Sequence, residues 1–416
     1  MAKPVSHVVT RPGRRQGDAD VTIPVAEELA TVPGIPLKEE DLSFYSRVYP
    51  QETQNIEKAA DREWVWTVYS DEMANYRRYH DEVSKPLIDA AAVSGDLEPT
   101  GTPDPELNVT EAIRSKAREL GFNEVGFTKH DKRFTYTRKK RWIKYPHAIC
   151  LALEQDYVQT QSIPSMDAEY AHFGTYEMEG AFLLDLADYI RSLGYHAQVH
   201  SPNDNSAPYI PMFVSAGLGQ LGANGQLLSP HFGSRARLAM ITTDAPVAYD
   251  EPVDYGIHEF CQRCQVCANR CPGRAIVRDK VWWRGVEKNK LIYERCRPVM
   301  ARYEGCAVCM KTCPIQRFGM PAVMEHFVET GEVLGKGTHL LEGYTFKDKG
   351  YHGPGELPQF DRQFFEIPHG RKEDWLFEQF KERLMKEGVP EEGELHEFAQ
   401  QVKVILDQGN STIGDE

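Results

Sequence analysis

No run of about 18 apolar residues occurs in the sequence, so it offers no candidate membrane-spanning helix. An excess of positive charge is missing too. Lys and Arg number 48 against 62 Asp and Glu, a net charge of −14, whereas a nucleic-acid binder ordinarily carries a basic face. Cysteine is too sparse for a disulfide scaffold: there are nine in 416 residues. Eight of them crowd between Cys261 and Cys313, a pattern that suits metal binding in a reducing compartment. No internal repeat recurs at a fixed period. Gly217, Gly219, Gly222 and Gly225 form no GxGxxG fingerprint, and they follow a helical pattern rather than a strand. Arg14-Arg15 are followed by polar and acidic residues instead of an apolar stretch, so an export signal is set aside and a cytoplasmic location is expected.

What is present divides the chain into five parts. Residues 1–40 are rich in Pro, Gly and charge and read as a flexible arm. Residues 41–107 read as a helical cap and linker, with Phe44, Tyr45, Tyr49, Trp64, Trp66, Tyr69, Tyr76 and Tyr79 either packing it or lining an apolar pocket. From 108 to 255 helical and strand patterns alternate, which predicts a mixed α/β domain. NVTEAIRSKARELGF has apolar residues at helical spacing, NEVGFTKH and HAICLALEQ read as strands, and Tyr170 to Leu193 reads as a long helix closed by Gly194. PYIPMFVSAGLGQLG reads as a helix ending in glycines, flanked by the strands YHAQVHS and RARLAMITTDAPV. Residues 256–320 are the cysteine segment. Residues 321–416 are a polar C-terminal extension with one clear helical pattern, EDWLFEQFKERLMKEG.

The cysteine segment carries the strongest signal. Cys261, Cys264, Cys267 and Cys271 form C-x2-C-x2-C-x3-C-P, and Cys296, Cys306, Cys309 and Cys313 form C-x9-C-x2-C-x3-C-P. In this pattern three thiolates wrap one cubane while the fourth reaches the other. One [4Fe-4S] cluster is therefore expected on Cys261, Cys264, Cys267 and Cys313, and a second on Cys271, Cys296, Cys306 and Cys309. Zinc ribbons use cysteine pairs, not triplets closed by Cys-Pro, so zinc is the weaker reading. The longer gap from Cys296 to Cys306 implies an insertion beside the second cluster. Cys150, in an apolar strand, reads as a buried inert thiol.

The block NDNSAPYIPMFVSAGLGQLGANGQLLSPHFGSRARLAMITTDAPV, followed by the two cysteine runs, resembles the corrinoid-dependent reductive dehalogenases and their relatives, the epoxyqueuosine reductases. The resemblance covers roughly 108–320. It implies an α+β chain, with a nitroreductase-like domain holding base-off cobalamin and a bacterial ferredoxin-like domain whose two clusters reduce the cobalt. No D-x-H-x-x-G sequence occurs, which fits a corrinoid without a protein histidine ligand. By the same resemblance Gly217, Gly219 and Gly222 would let backbone approach the corrin closely, the plainer alternative being helix capping.

The two relatives differ at a few positions. Epoxyqueuosine reductases resemble the chain at Ser206 to Pro208, but an acidic residue precedes that triplet in them, and Asn205 stands here. An amide is no proton donor in that sense. The dehalogenase layout of Tyr, Asn and Arg maps onto Tyr176, Asn203 or Asn205, and Arg237, with Tyr170 and Arg235 as alternatives to Tyr176 and Arg237. The expected function is therefore reductive removal of halide from an organohalide, with Tyr176 donating the proton, Arg237 stabilising the phenolate and an asparagine holding the tyrosine or substrate. Epoxyqueuosine reductase acting on tRNA and a two-cluster electron carrier without corrinoid are the rival readings. The expected partners are an organohalide and an external low-potential donor (ferredoxin, flavodoxin or a reductase), with no nucleic acid and with membrane association only through a partner. Oligomeric state is left open, a dimer included.

Overall fold

The computed structural model describes residues 5–11, 19–39, 70–135, 139–200, 207–283 and 285–366. The aromatics from Phe44 to Tyr69, the EDWLFEQFKERLMKEG pattern, Asn203 and Asn205 lie outside these residues. In chain order the principal strands are β1 (Val5–Arg11), β2 (Ala19–Val25), β3 (Glu124–Lys129), β4 (His147–Glu154), β5 (Ala197–His200), β6 (Gln220–Leu221), β7 (Leu227–Leu228), β8 (Ala236–Thr243), β9 (Ile276–Trp283) and β10 (Val286–Leu291). The principal helices are α1 (Asp71–Val93), α2 (Val109–Leu120), α3 (Met166–Ser192), α4 (Ile210–Ser215), α5 (Ile257–Cys264), α6 (Val266–Arg270), α7 (Tyr293–Arg302), α8 (Val308–Lys311), α9 (Pro314–Phe318) and α10 (Met320–Thr330).

The first core is a four-stranded antiparallel sheet in the order β3-β4-β8-β5. Strand side chains alternate between faces, and β4 is apolar on both. Ile149, Leu151 and Leu153 pack with Ile113 and Ala117 of α2 and Leu183, Leu186 and Ile190 of α3. Ala148, Cys150 and Ala152 face the other way, onto Met212, Phe213 and Val214 of α4. The sheet is thus covered on both faces, and a continuous apolar run is what such a strand requires. The chain is mixed α/β.

Helix α3 starts four residues before the sequence pattern shows it. Ser165 accepts a hydrogen bond from the Ala168 amide at 3.3 Å, and Asp167 and Glu169 occupy the first turn. A hydroxyl cap and early acids stabilise a helix start whatever the apolar periodicity. At its end, Gly194 has φ +91°, and a Cβ there would lie 2.4 Å from Pro103.

A second core joins the cysteine segment to both flanking regions. Residues 5–11 and 19–25 form an antiparallel pair, with Val5 opposite Val25. Ile23, Val25 and Leu29 are wholly buried against Ile257 and Phe260 of α5 and Val323, Met324 and Phe327 of α10. A flexible arm was expected over 1–40. The alternation Val21, Ile23, Val25 is a strand pattern, and it is hidden in the sequence by the surrounding Pro, Gly and charge. Between residues 320 and 366 the chain is also built in. The buried Arg270 guanidinium donates from Nε to the Glu342 carbonyl at 3.1 Å and from Nη2 to the His352 carbonyl at 3.3 Å. No described helix is long and apolar enough to cross a membrane.

Candidate functional site

The two cysteine runs fold as two similar turns. After Cys264, Gln265 adopts φ 54° and α6 follows; Cys306 and Ala307 adopt φ 54° and 47° and α8 follows. Each run then closes at Cys-Pro, Cys271-Pro272 or Cys313-Pro314, with Pro314 opening α9. A left-handed residue reverses the chain between cysteines, so that successive thiols point inward at a common centre.

Cys261, Cys264, Cys267 and Cys313 line one cavity, closed by Phe260, Leu228 and Ile315 and bordered by Ala223 and Asn224. Cys271, Cys296 and Cys309 gather with Ala268, Ala275 and Ile276 in an adjoining group, and Cys306 sits within electrostatic reach of all three. The structure therefore brings together the two sets that the spacing defines. Among the described residues, no three His, Cys, Asp or Glu converge as a single-ion site. The first four thiols surround a space.

The surroundings also fit an iron–sulfur group. Burial pushes the Cys261 thiol up to about 12, and raises Cys264, Cys267, Cys306 and Cys309 as well. Thiolates held there need a cation among them to offset their desolvation. Amides of Ala223 and Ala275 donate to Cys261 Sγ and Cys271 Sγ at 3.5 and 3.3 Å. Such N–H···S bonds stabilise sulfur-bound negative charge and tune cluster potential. The long gap between Cys296 and Cys306 is filled by the end of α7 and a turn through Glu304 and Gly305, at φ 35° and 70°.

The second centre lies between α3 and β8. Arg237 follows Ala236 into β8 opposite Leu153, on the sheet face that carries α3. Its Nη1 donates to the Tyr176 hydroxyl at 3.2 Å, and its Nη2 donates to Gln155 Oε1 at 3.0 Å. The guanidinium carbon is 5.1 Å from the Tyr176 ring centroid. His172 and His80 flank the phenol, with ring centroids 5.2 and 6.3 Å away. Burial, and then Arg237, lower the His172 imidazole, while Glu169 Oε2 lies 3.3 Å from its Nδ1 and opposes them. This arrangement can position a phenol and hold negative charge on its oxygen.

The alternatives are placed elsewhere. Tyr170 donates to Glu72 at 2.8 Å at the exposed edge of α3. Arg235 is buried in an ion pair with Glu154 and donates to the Gln155 carbonyl at 3.1 Å. The glycines meet this chain's own atoms at close range. Gly217 has φ +71°, and a Cβ would lie 2.5 Å from the Glu251 carbonyl. At Gly219 a Cβ would lie 2.5 Å from the Leu228 carbonyl, and at Gly222 one would lie 2.8 Å from Asn224. Backbone carbonyls and positive φ are sufficient reason for Gly217 and Gly219, whereas at Gly222 the neighbours are side chains of Asn224 and Leu228. Cys150 is fully buried, which raises its thiol. Tyr76 packs beside Phe173, whereas Tyr79 is half exposed.

Two buried acids escaped the sequence reading. Glu179, fully buried one turn beyond Tyr176, has no partner for either carboxylate oxygen; burial pushes it up to about 8 although Arg237 pulls the other way. Its signal was available: Tyr176, Glu179, Leu183, Leu186 and Ile190 form one helical stripe, and Glu179 is the acid within it. Glu124 is also raised to about 8 by burial, although it accepts a hydrogen bond from Ser229 Oγ; its other oxygen has no partner. At the end of a strand, Glu124 carried no comparable signal.

No protein-family profile matches the chain. It is 36% identical over 144 residues to the tetrachloroethene reductive dehalogenase of Desulfitobacterium hafniense, covering 33% of this chain and 26% of that protein. It is 24% identical over 262 residues to the epoxyqueuosine reductase of Escherichia coli strain K12, covering 53% of this chain and 68% of that one. In structure it matches a reductive dehalogenase described as supporting a mechanism for B12-dependent dehalogenation, with TM-score 0.54 and 23% identity over 68% of this chain and 47% of that one. The chain thus spans about a quarter of the curated dehalogenase and about half of the solved one. In sequence, then, the chain is similar to part of a reductive dehalogenase and to an epoxyqueuosine reductase, and it shares its fold with a reductive dehalogenase.

Proposed function

We propose that the chain is an oxidoreductase of the reductive dehalogenase type, removing halide from an organohalide with electrons delivered through two [4Fe-4S] clusters. The single observation that carries this reading is the Arg237–Tyr176 contact at 3.2 Å, in the same chain as two gathered sets of four cysteines. In this reading residues 108–255 form a nitroreductase-like corrinoid domain and 256–320 a ferredoxin-like domain, to which the buried faces of residues 19–29 and 320–330 are added. A bound corrinoid would supply the low-potential electrons for breaking the carbon–halogen bond. In this reading Gly217, Gly219 and Gly222 would take part in holding it, and Asn203 or Asn205, outside the described residues, would hold the tyrosine or the substrate.

The protein's own part is proton delivery. Replacing halide by hydrogen consumes two electrons and one proton and releases a halide anion. Tyr176 gives up its hydroxyl proton to the carbon. A phenol with an ordinary pKa of about 10 does this only if the phenolate is stabilised. Arg237 does so by a charge-assisted hydrogen bond and by its position beside the ring. Gln155, accepting from Nη2, fixes the guanidinium in that orientation.

One observation favours a second reading: the chain spans 68% of the Escherichia coli epoxyqueuosine reductase. Against it stand Asn205 where an acid is expected and the net charge of −14, which disfavours a tRNA partner. The deciding experiment is anaerobic reconstitution with iron, sulfide and hydroxocobalamin. Elemental analysis follows, then a halide-release screen on an organohalide panel with titanium(III) citrate. Halide release with bound cobalt supports the dehalogenase. Queuosine formation from epoxyqueuosine-modified tRNA overturns it, and iron and sulfide without corrinoid binding reduces the chain to an electron carrier.

A further inference from the structure

The charge of this chain is segregated. Residues 271–302 carry nine Lys and Arg against three Asp and Glu, in a protein whose net charge is −14. The middle half of that stretch is the β9–β10 hairpin. Both roots of the hairpin are cysteines of the second set, Cys271 before it and Cys296 after it. Ala275 and Ile276 at its base pack with Cys271, Cys267, Cys296 and Cys309. The outer part exposes Val281 and Trp282 on β9, while Leu291 and Ile292, where β10 ends, are exposed at the base opposite Ile276. Cations flank the indoles, with Lys38 4.4 Å from the Trp282 ring centroid and Lys290 3.3 Å from that of Trp283. Residues 36–38 lie along the hairpin, where the Lys38 amide donates to the Gly285 carbonyl at 2.8 Å.

An exposed aromatic residue in a surface of net positive charge is the form of a transient docking surface, the charge steering encounter and the aromatic supplying contact; the hairpin keeps that net sign although Lys280 pairs with Glu259 and Asp279 and Glu287 lie on it. The opposite end of the cysteine module faces inward, since the first cavity is bordered by Ala223, Asn224 and Leu228 of the α/β core. We propose that the β9–β10 hairpin is the docking surface for an acidic one-electron carrier protein, which passes electrons to the second set of cysteines. The inference rests on the two-cluster reading above and adds to it the entry point and the charge of the donor. Basic residues with tryptophan would also suit an anionic lipid surface. The carrier is favoured because the hairpin is rooted at both ends on ligands of an electron-transfer centre.

The test uses reconstituted protein and a purified, chemically reduced flavodoxin, an acidic carrier. Bleaching of the cluster absorbance is followed by stopped flow, alongside carrier binding by calorimetry. For the native protein the bimolecular rate should fall steeply between about 20 and 300 mM salt, as screening shortens the reach of surface charge. Arg278→Glu with Lys290→Glu, and separately Trp282→Ser, should each lower the rate and weaken binding by about tenfold or more at low salt. Reduction by titanium(III) citrate, which needs no docking, should be unchanged in every variant. Carrier rates and affinities equal to native in these variants would overturn the proposal. So would loss of binding to phosphatidylglycerol vesicles in the variants with carrier kinetics intact. Protein that retains no iron and sulfide would instead sink the two-cluster reading itself.

Discussion

Arg237 is held at both of its terminal nitrogens, one on the Tyr176 hydroxyl and one on Gln155, so its planar fork rather than its charge alone sets the geometry. Tyr176→Phe should lower halide release by about 10²- to 10⁴-fold, the range for losing a positioned proton donor, with iron, sulfide and cobalt content unchanged. Arg237→Lys keeps the charge but cannot make both bonds, and its activity should fall by more than about tenfold. Equal activity in Tyr176→Phe would remove the phenol from the mechanism. Glu179 makes a different prediction. Its folded pKa of about 8 lies above the unfolded value of about 4.3, so between the two the folded state holds the proton more tightly. Its contribution is therefore fully present below the unfolded value and is lost as pH rises toward 8, with a slope on the order of 1.4 kcal/mol per pH unit. Urea midpoints from pH 5 to 8 should fall less steeply in Glu179→Gln than in the native protein.

At the scale of elements, the turn from α4 into β6 is the most constrained segment near the site. Gly217 sits at φ +71° with the Glu251 carbonyl where a Cβ would go, and Tyr255 donates to the Gly217 carbonyl at 2.8 Å. Gly217→Ala must therefore accept both a left-handed backbone and a clash. It should cost about 1–3 kcal/mol in urea unfolding, whereas Gly225→Ala meets no neighbour and is strained by its φ of +77° alone. The ordering of the two losses distinguishes packing from backbone strain. A Gly217→Ala protein as stable as native would show that the turn can relax.

For the whole molecule, the two sets of cysteines make a countable prediction. Cys267→Ser should remove a ligand from the first set and Cys296→Ser from the second. Each should lower bound iron from about eight to about four per chain and leave a distinct cluster signal in electron paramagnetic resonance. A variant that loses all iron would mean that the sets do not load independently. The second core, which wedges Ile23, Val25 and Leu29 between α5 and α10, predicts that removal of residues 1–31 exposes apolar surface and abolishes stable cluster loading.

The local instructions were explicit in the sequence. The cysteine spacings named two sets of four thiols, the apolar run of β4 named a strand covered on both faces, and Gly194 named the end of α3. These depend on neighbours a few residues apart, which is where periodicity and turn chemistry act. Long-range proximity was not written there. That Arg237 rather than Arg235 meets Tyr176, while Arg235 lies over Tyr157 and Tyr170 turns to Glu72, follows from how α3 lies across β8. That Glu179 loses its solvent, and that the N-terminal segment is sealed under α10, likewise follow from burial created by residues far away in the chain. Chain order fixed the chemical repertoire. Packing decided which groups were brought out of water and against each other, because desolvation and contact belong to the assembled core and not to any stretch of sequence.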